Sequence, residues 1–107
     1  MKLQITKAAR VEVELENLWV YLADHADLEV ADRFLASVER TIQHLAEQPG
    51  LGRPRRFQHD ELAGLHSWRV DDFPNHLIFY RATAETLQIY SVMHGARDLP
   101  RRLLDRP

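Results

Sequence analysis

The stretch HLIFYRA, residues 76–82, decides how this chain folds. It contains four consecutive apolar or aromatic residues, Leu77 to Tyr80. A run that is this short and does not alternate with polar residues is typical of a strand buried on both faces. The stretch therefore predicts the central strand of a sheet.

Further strands flank this central one. After the turn-forming TAET, the segment LQIYSVMH predicts a strand over about residues 86–94. On the other side, DDFPN is a turn, and the alternating SWRV before it predicts a strand over about residues 66–71. The alternating N-terminal KLQIT predicts a short strand over residues 2–6. We therefore expect an antiparallel sheet of about four strands, a short N-terminal strand plus a three-stranded C-terminal meander.

Two amphipathic helices precede the meander. Apolar residues at helical spacing predict one helix over residues 7–23, with Thr6 as its N-cap, and a second over residues 28–48, with Asp27 as its N-cap. The connection between them is short, which favours an antiparallel hairpin whose apolar stripes face the sheet. The fold class is therefore predicted as α+β, one domain over residues 1–107 that ends in a short arginine-rich tail.

Composition narrows the possible functions. The chain has 107 residues, no cysteine and a net charge of −2. The lack of cysteine rules out disulfides and Cys-ligated zinc, and the net charge argues against a general nucleic-acid binder. The longest apolar run, residues 18–23, is far shorter than the roughly 20 residues that span a bilayer. We expect a soluble, cytoplasmic protein that makes no contact with a membrane.

The segment HGARD, residues 94–98, is the strongest candidate for chemistry. His94 could exchange a proton near neutral pH, and Arg97 could hold a phosphate. An equally good reading makes it a strand end, with Gly95 forming the turn. The other histidines lack metal-binding spacing, and there is no glycine-rich phosphate loop and no cysteine nucleophile. We therefore expect no metal and no cofactor.

A family resemblance joins these segments. A tryptophan-bearing first helix is followed by HLAEQPGLGRP at the end of the second, by the strand pair GLHSWRV and HLIFYR, and finally by IYSVMHGARD. This order and spacing resembles the ParE toxins of the RelE/ParE toxin superfamily. The resemblance extends from about Leu3 to Asp98.

The resemblance implies the toxin of a type II toxin–antitoxin system. ParE-like members are non-enzymatic poisons of DNA gyrase that block replication, whereas members of the RelE branch cut messenger RNA in the ribosome. Both branches share one fold, so the fold cannot choose between them. A third possibility is a degenerate, non-toxic chain that still binds an antitoxin.

The residues favour the non-enzymatic branch. RNA cleavage needs proton donors and acceptors together with positive charge on the phosphate. The tail after His94 contains no tyrosine, histidine or lysine. An RNase would have to rely on His94, Arg97 and Arg69. In a gyrase poison no residue is catalytic, and the candidates for binding the target are arginines: Arg69, Arg97, Arg101 and Arg102.

The resemblance also implies a hetero-oligomer with a co-encoded ParD-like antitoxin and no sequence-specific binding of nucleic acid. The antitoxin's C-terminal segment is expected to fold on binding, along the groove between the helical hairpin and the sheet. Because the toxin carries arginine clusters, that segment should be acidic as well as apolar. The candidate contact residues are apolar: Trp19, Leu22, Phe34 and Val38. Their pattern fits core positions equally well.

Overall fold

The computed structural model describes residues 2–95 and 99–104. In this part of the chain a sheet of five strands packs against three helices, and two single turns of 3₁₀ helix, Pro49–Leu51 and Asp60–Leu62, interrupt the long connection after the second helix. The elements in chain order are β1 (Gln4–Lys7), α1 (Ala9–His25), α2 (Leu28–Glu47), β2 (Arg53–Pro54), β3 (His66–Val70), β4 (Phe73–Ala82), β5 (Thr86–His94) and α3 (Leu99–Leu104). None of these helices is long and apolar enough to cross a membrane.

The α+β prediction is confirmed, but the sheet differs from the predicted one. Its strand order is β1-β5-β4-β3-β2, and β1 runs parallel to β5, with Gln4 opposite Thr86. The sheet is therefore mixed and not antiparallel throughout. Periodicity identifies a strand but not its partner, so the direction of β1 was not predictable from its own residues. Strand β2 was missed because two residues carry no pattern.

The two helices form the predicted hairpin through a two-residue connection. Asp27 caps α2 as predicted, and its Oδ1 accepts a hydrogen bond from the Val30 amide at 2.8 Å. The prediction that Thr6 caps α1 was wrong, because β1 continues through Lys7 and the N-cap is Ala8, which makes no side-chain cap. Helix α1 therefore starts two residues later than predicted.

The hairpin covers one face of the sheet, called here the hairpin face. On β4 this face carries Ile78 and Tyr80, which are fully buried against α2 residues of the same apolar cluster. The α2 members of the cluster include Phe34, Val38 and Ile42, at spacings of four residues. That spacing keeps the side chains on one side of the helix, so α2 supplies most of the helical part of the core.

The opposite face of the sheet, called here the arginine face, is also covered. Because side chains alternate along a strand, Leu77 and Phe79 point away from the hairpin. They belong to a second apolar cluster with Leu62, Leu99 and Leu103. The predicted arginine-rich tail therefore contains a helix, α3, whose two buried leucines are four residues apart and lie on this face.

A β-bulge lies in β5 at Tyr90. Ser91 is opposite Phe79, whereas Ile89 is opposite the next residue of β4, Tyr80. Tyr90 is thus an extra residue without a partner on β4, and such a bulge re-aims the neighbouring side chains. Its ring packs against the second cluster, as does the side chain of Met93. The bulge therefore places Tyr90 close to α3.

Candidate functional site

The residues that carry the family resemblance are first of all structural. The Gly52 amide donates to Tyr80 Oη at 2.8 Å, and the same hydroxyl donates to the Pro49 carbonyl at 2.7 Å. Burial raises the pKa of Tyr80, while the bond from Gly52 opposes that rise. The glycine of PGLGRP and the tyrosine of HLIFYR therefore join the end of the hairpin to the central strand. These two hydrogen bonds among Pro49, Gly52 and Tyr80 are called here the lock.

Two arginines near these motifs are also structural. Arg81 donates to the carbonyls of Ala63 at 2.8 Å and Glu61 at 2.6 Å, and so fixes the loop before β3. Arg55 lies 5.9 Å from the ring centroid of Phe79 and donates to a serine hydroxyl of β3 at 3.3 Å. Both guanidinium groups are occupied by this chain's own backbone or side chains.

The candidate target-binding arginines lie on the arginine face, as far as they are described. Arg69 is exposed on β3 and is opposite Leu77, which points to that face. Its guanidinium lies 5.0 Å from the centroid of the neighbouring Trp68 ring. Arg101 and Arg102 are exposed on α3, which packs on the same face. The fourth candidate, Arg97, lies outside the described residues.

The histidine of the RNase hypothesis, His94, lies on the other face. His94 is opposite His76 across β4 and β5, with ring centroids 5.2 Å apart. The His76 ring packs 4.9 Å from that of Phe34 on α2, so this pair belongs to the hairpin face. Burial, and secondly His94, lower the pKa of His76. His94 and Arg69 therefore project from opposite faces of the sheet and do not converge on one substrate.

Metal ligation is also tested by geometry. Within residues 2–95 and 99–104, no three or more His, Asp or Glu side chains come together in a group that could hold a metal ion. The buried Nδ1 of His76 has no hydrogen-bond partner in this part of the chain. Its neighbour His94 makes a pair of histidines, and two possible ligands without a third among the described residues do not make a metal site.

The four antitoxin-binding candidates separate into two pairs. Trp19 and Leu22 are half-buried on α1, and Trp19 Nε1 donates to Asp32 Oδ1 on α2 at 2.9 Å. Phe34 and Val38, in contrast, are 0% and 1% exposed. Placing these two at a partner surface was therefore a mistake, because they are core residues in the middle of the apolar stripe of α2.

The apolar residues that the hairpin does expose were missed. On α1 they are Val13, Val20 and Tyr21, and on α2 they are Leu28 and Leu35. The two valines are seven residues apart, as are the two leucines, so each pair lies on one side of its helix. Leu28 is 62% exposed and Val20 48%. The spacing of seven outside the main stripe was the signal available in the sequence. The hairpin that carries them is acidic, since residues 9–47 hold nine Asp or Glu and three Arg.

Solved structures share this fold. A chain of the chromosomal ParDE system of P. aeruginosa matches with a TM-score of 0.70 over 87% of this chain and 96% of its own length, at 11% identity. A chain of the RelBE2 toxin–antitoxin complex of Mycobacterium tuberculosis matches with a TM-score of 0.61 over 88% and 99%, at 22% identity. The architecture is thus that of the RelE/ParE fold.

Sequence comparison defines the family within that fold. Residues 4–99 match the family described as "ParE toxin of type II toxin-antitoxin system, parDE". Toxin ParE1 of Mycobacterium tuberculosis is 28% identical over 93 residues, which cover 86% of this chain and 89% of the relative. Toxin ParE1 of Caulobacter vibrioides is 28% identical over 85 residues, which cover 79% and 81%. The chain belongs to the ParE family of type II toxins.

Proposed function

We propose that this chain inhibits DNA gyrase without enzymatic chemistry of its own, and that a co-encoded ParD-like antitoxin neutralises it. Membership of the ParE family supports the first part. The observation that carries the choice against RNA cleavage is the separation of His94 from Arg69 by the thickness of the sheet. General acid–base cleavage needs the proton-transferring group and the phosphate-binding cation within reach of one phosphodiester.

The target surface in this proposal is the arginine face. Arg69, Arg101 and Arg102 are exposed there. Arg97 is proposed as a further contact with the target. Guanidinium groups bind carboxylates and phosphates through paired, planar hydrogen bonds, so both the acidic surface of a protein and the backbone of gyrase-bound DNA have suitable chemistry.

The antitoxin is proposed to use the hairpin as well. Trp19 and Leu22 are half-buried, and they lie on a helix whose outer side exposes Val13 and Val20. An apolar antitoxin segment that orders on this surface would remove those side chains from water, at roughly 25 cal/mol per Å² buried. The acidic residues expected in the antitoxin have few favourable partners on the hairpin, where carboxylates outnumber arginines by nine to three. They are therefore assigned to the arginine face.

A supercoiling assay with purified gyrase tests the target. The wild-type chain should inhibit supercoiling and raise the amount of cleaved plasmid trapped with gyrase. Arg69→Gln should reduce this effect, whereas Arg33→Gln, which removes an exposed arginine from α2, should not. Normal supercoiling with excess wild-type chain would rule out the proposal.

The alternatives have their own signatures. A ribosome-dependent endonuclease of the RelE type would produce new mRNA ends in a translating extract, and the half-buried pair of His76 and His94 is the feature that favours testing it. A non-toxic chain would neither cut mRNA nor slow growth when expressed without its antitoxin. Coexpression with the neighbouring gene product tests the antitoxin, which should copurify with this chain.

A further inference from the structure

Helix α3 depends on the rest of the molecule for its stability. It has six residues, and an isolated helix of that length does not persist in water. Two contacts hold it. Its leucines, Leu99 and Leu103, pack into the cluster on the arginine face, and its C-terminal carbonyls are bound by side chains from distant parts of the chain.

Those side chains are Arg10 of α1 and Tyr90 of β5. Arg10 Nη2 donates to the Arg102 carbonyl at 2.8 Å, and its Nη1 donates to the Leu103 carbonyl. Tyr90 Oη donates to the same Leu103 carbonyl at 2.8 Å. A cation at the C-terminal end of a helix also interacts favourably with the helix dipole. Together the two residues cap the last turn of α3.

Arg10 is itself held in place. Its guanidinium forms an ion pair with Glu14 at 3.2 Å, between side chains that are only 12% and 18% exposed, and it lies 5.0 Å from the centroid of the Tyr90 ring. Glu14 in turn accepts hydrogen bonds from Ser91 Oγ at 2.7 Å and from the Val92 amide at 3.2 Å. The network therefore joins the hairpin, the bulged part of β5 and α3.

We propose that Arg10 and Tyr90 are positioning residues, which fix α3 so that Arg101 and Arg102 are presented on the arginine face for target binding. The inference rests on the proposed function, because it takes these two arginines as target contacts. Neither Arg10 nor Tyr90 touches the target. They act by restricting α3 to one docked position, so that less conformational entropy is lost when the target binds.

Limited trypsin digestion measures the docking directly. Trypsin cuts after Arg101 and Arg102 only when α3 leaves its helical conformation, so the rate at which residues 103–107 are released follows the undocked population. Loss of a charge-assisted hydrogen bond shifts such an equilibrium by about tenfold. We expect Arg10→Met to speed this release by about that factor, and Tyr90→Phe, which removes a hydrogen bond between neutral groups, by about fivefold. The control Arg33→Met removes a guanidinium that lies on the Phe73 ring, and it should leave the rate unchanged.

Measuring gyrase inhibition distinguishes a change in the position of α3 from a loss of stability of the whole fold. Arg10→Met and Tyr90→Phe should weaken gyrase inhibition while the main unfolding transition stays unchanged. Arg10→Lys, which still offers an ammonium donor, should restore part of the inhibition. Tyr90→Phe keeps the ring and only removes the hydroxyl, so it serves even if the Arg10 variants fold poorly.

Two results would overturn the inference. One is that trypsin releases residues 103–107 from both variants at the wild-type rate. The other is faster release with gyrase inhibition at its wild-type level. Failure of the proposed function looks different, since the wild-type chain itself would then leave supercoiling unchanged while the digestion rates still distinguish Arg10→Met from Arg33→Met.

Discussion

Replacing Gly52 with alanine should destabilise the fold severely. A Cβ at this position would overlap Tyr80 Oη and lie 2.7 Å from Cε1 and 2.8 Å from Cζ of the same ring. Tyr80 is fully buried, so the ring has no free space to move into without disturbing its neighbours. Either the ring or the loop that carries Gly52 must shift, and either shift breaks the lock between them.

The cost follows from what the lock contains. Two hydrogen bonds are lost, the one from the Gly52 amide to Tyr80 Oη and the one from this hydroxyl to the Pro49 carbonyl. Each contributes about 1 kcal/mol net, and a buried polar group left without a partner costs about 1–3 kcal/mol more. The free energy of unfolding should therefore fall by about 3–5 kcal/mol, out of a total of about 5–15 for an ordinary domain.

Thermal and urea unfolding measure this loss. For a chain of this size the unfolding midpoint should drop by about 10 °C or more. Gly50→Ala is the matched control, since a Cβ there meets nothing within 4 Å, and it should stay within about 0.5 kcal/mol of wild type. Combined with Tyr80→Phe, Gly52→Ala should cost less than the sum of the single changes, because the shared hydrogen bonds are lost only once. Equal midpoints for Gly52→Ala and Gly50→Ala would refute the reasoning.

Three further changes test other parts of the structure. Asp27→Ala removes the cap on the Val30 amide and should cost about 1 kcal/mol in thermal unfolding; an unchanged midpoint would mean that water replaces the cap. Phe34→Ala should cost about 3–5 kcal/mol in urea unfolding, and Leu35→Ala, at a 36% exposed position, well under half as much; similar costs would contradict the assignment of Phe34 to the core. Burial, and secondly a neighbouring histidine, lower the pKa of His76 below its ordinary 6.5, so the folded state binds the proton less readily than the unfolded state. The resulting stability is complete above about pH 6.5 and is lost as the pH falls through 6.5 towards the folded pKa. His76→Phe should flatten this decline in the unfolding midpoint, and an unchanged pH profile would count against it.

Local patterns in the sequence predicted the hairpin and the three strands of the meander, because each element has a periodicity of its own. Residues 76–82 correspond to part of β4, Phe73–Ala82, and the helix predicted over 28–48 corresponds to α2, Leu28–Glu47. The strand that pairs with β1, and the direction of that pairing, could not be predicted in this way. A four-residue strand with one half-buried apolar side chain fits either edge of a sheet and either direction.

The candidate site was harder to predict because its arrangement depends on contacts far apart in sequence. Arg10 and Tyr90 are 80 residues apart, and neither belongs to a local pattern that indicates a helix cap. The errors at Phe34 and Val38 have a more local cause. Both are in the middle of the apolar stripe of α2, and the middle of a stripe packs into the core while its border, where Leu35 lies, meets solvent.

The distribution of charge gives the proposed toxin two dissimilar sides. Residues 9–47 hold nine carboxylates and three arginines, whereas the opposite side presents Arg69, Arg101 and Arg102 from the sheet and α3. A partner that only covered the hairpin would leave these arginines open to gyrase. Neutralisation in this proposal therefore requires an antitoxin chain that extends from the exposed valines and leucines of the hairpin, around the sheet, to the arginine face. Such a chain would need apolar residues in the part that covers the hairpin and acidic residues in the part that reaches the arginine face, because the first side offers apolar contacts and the second offers cations.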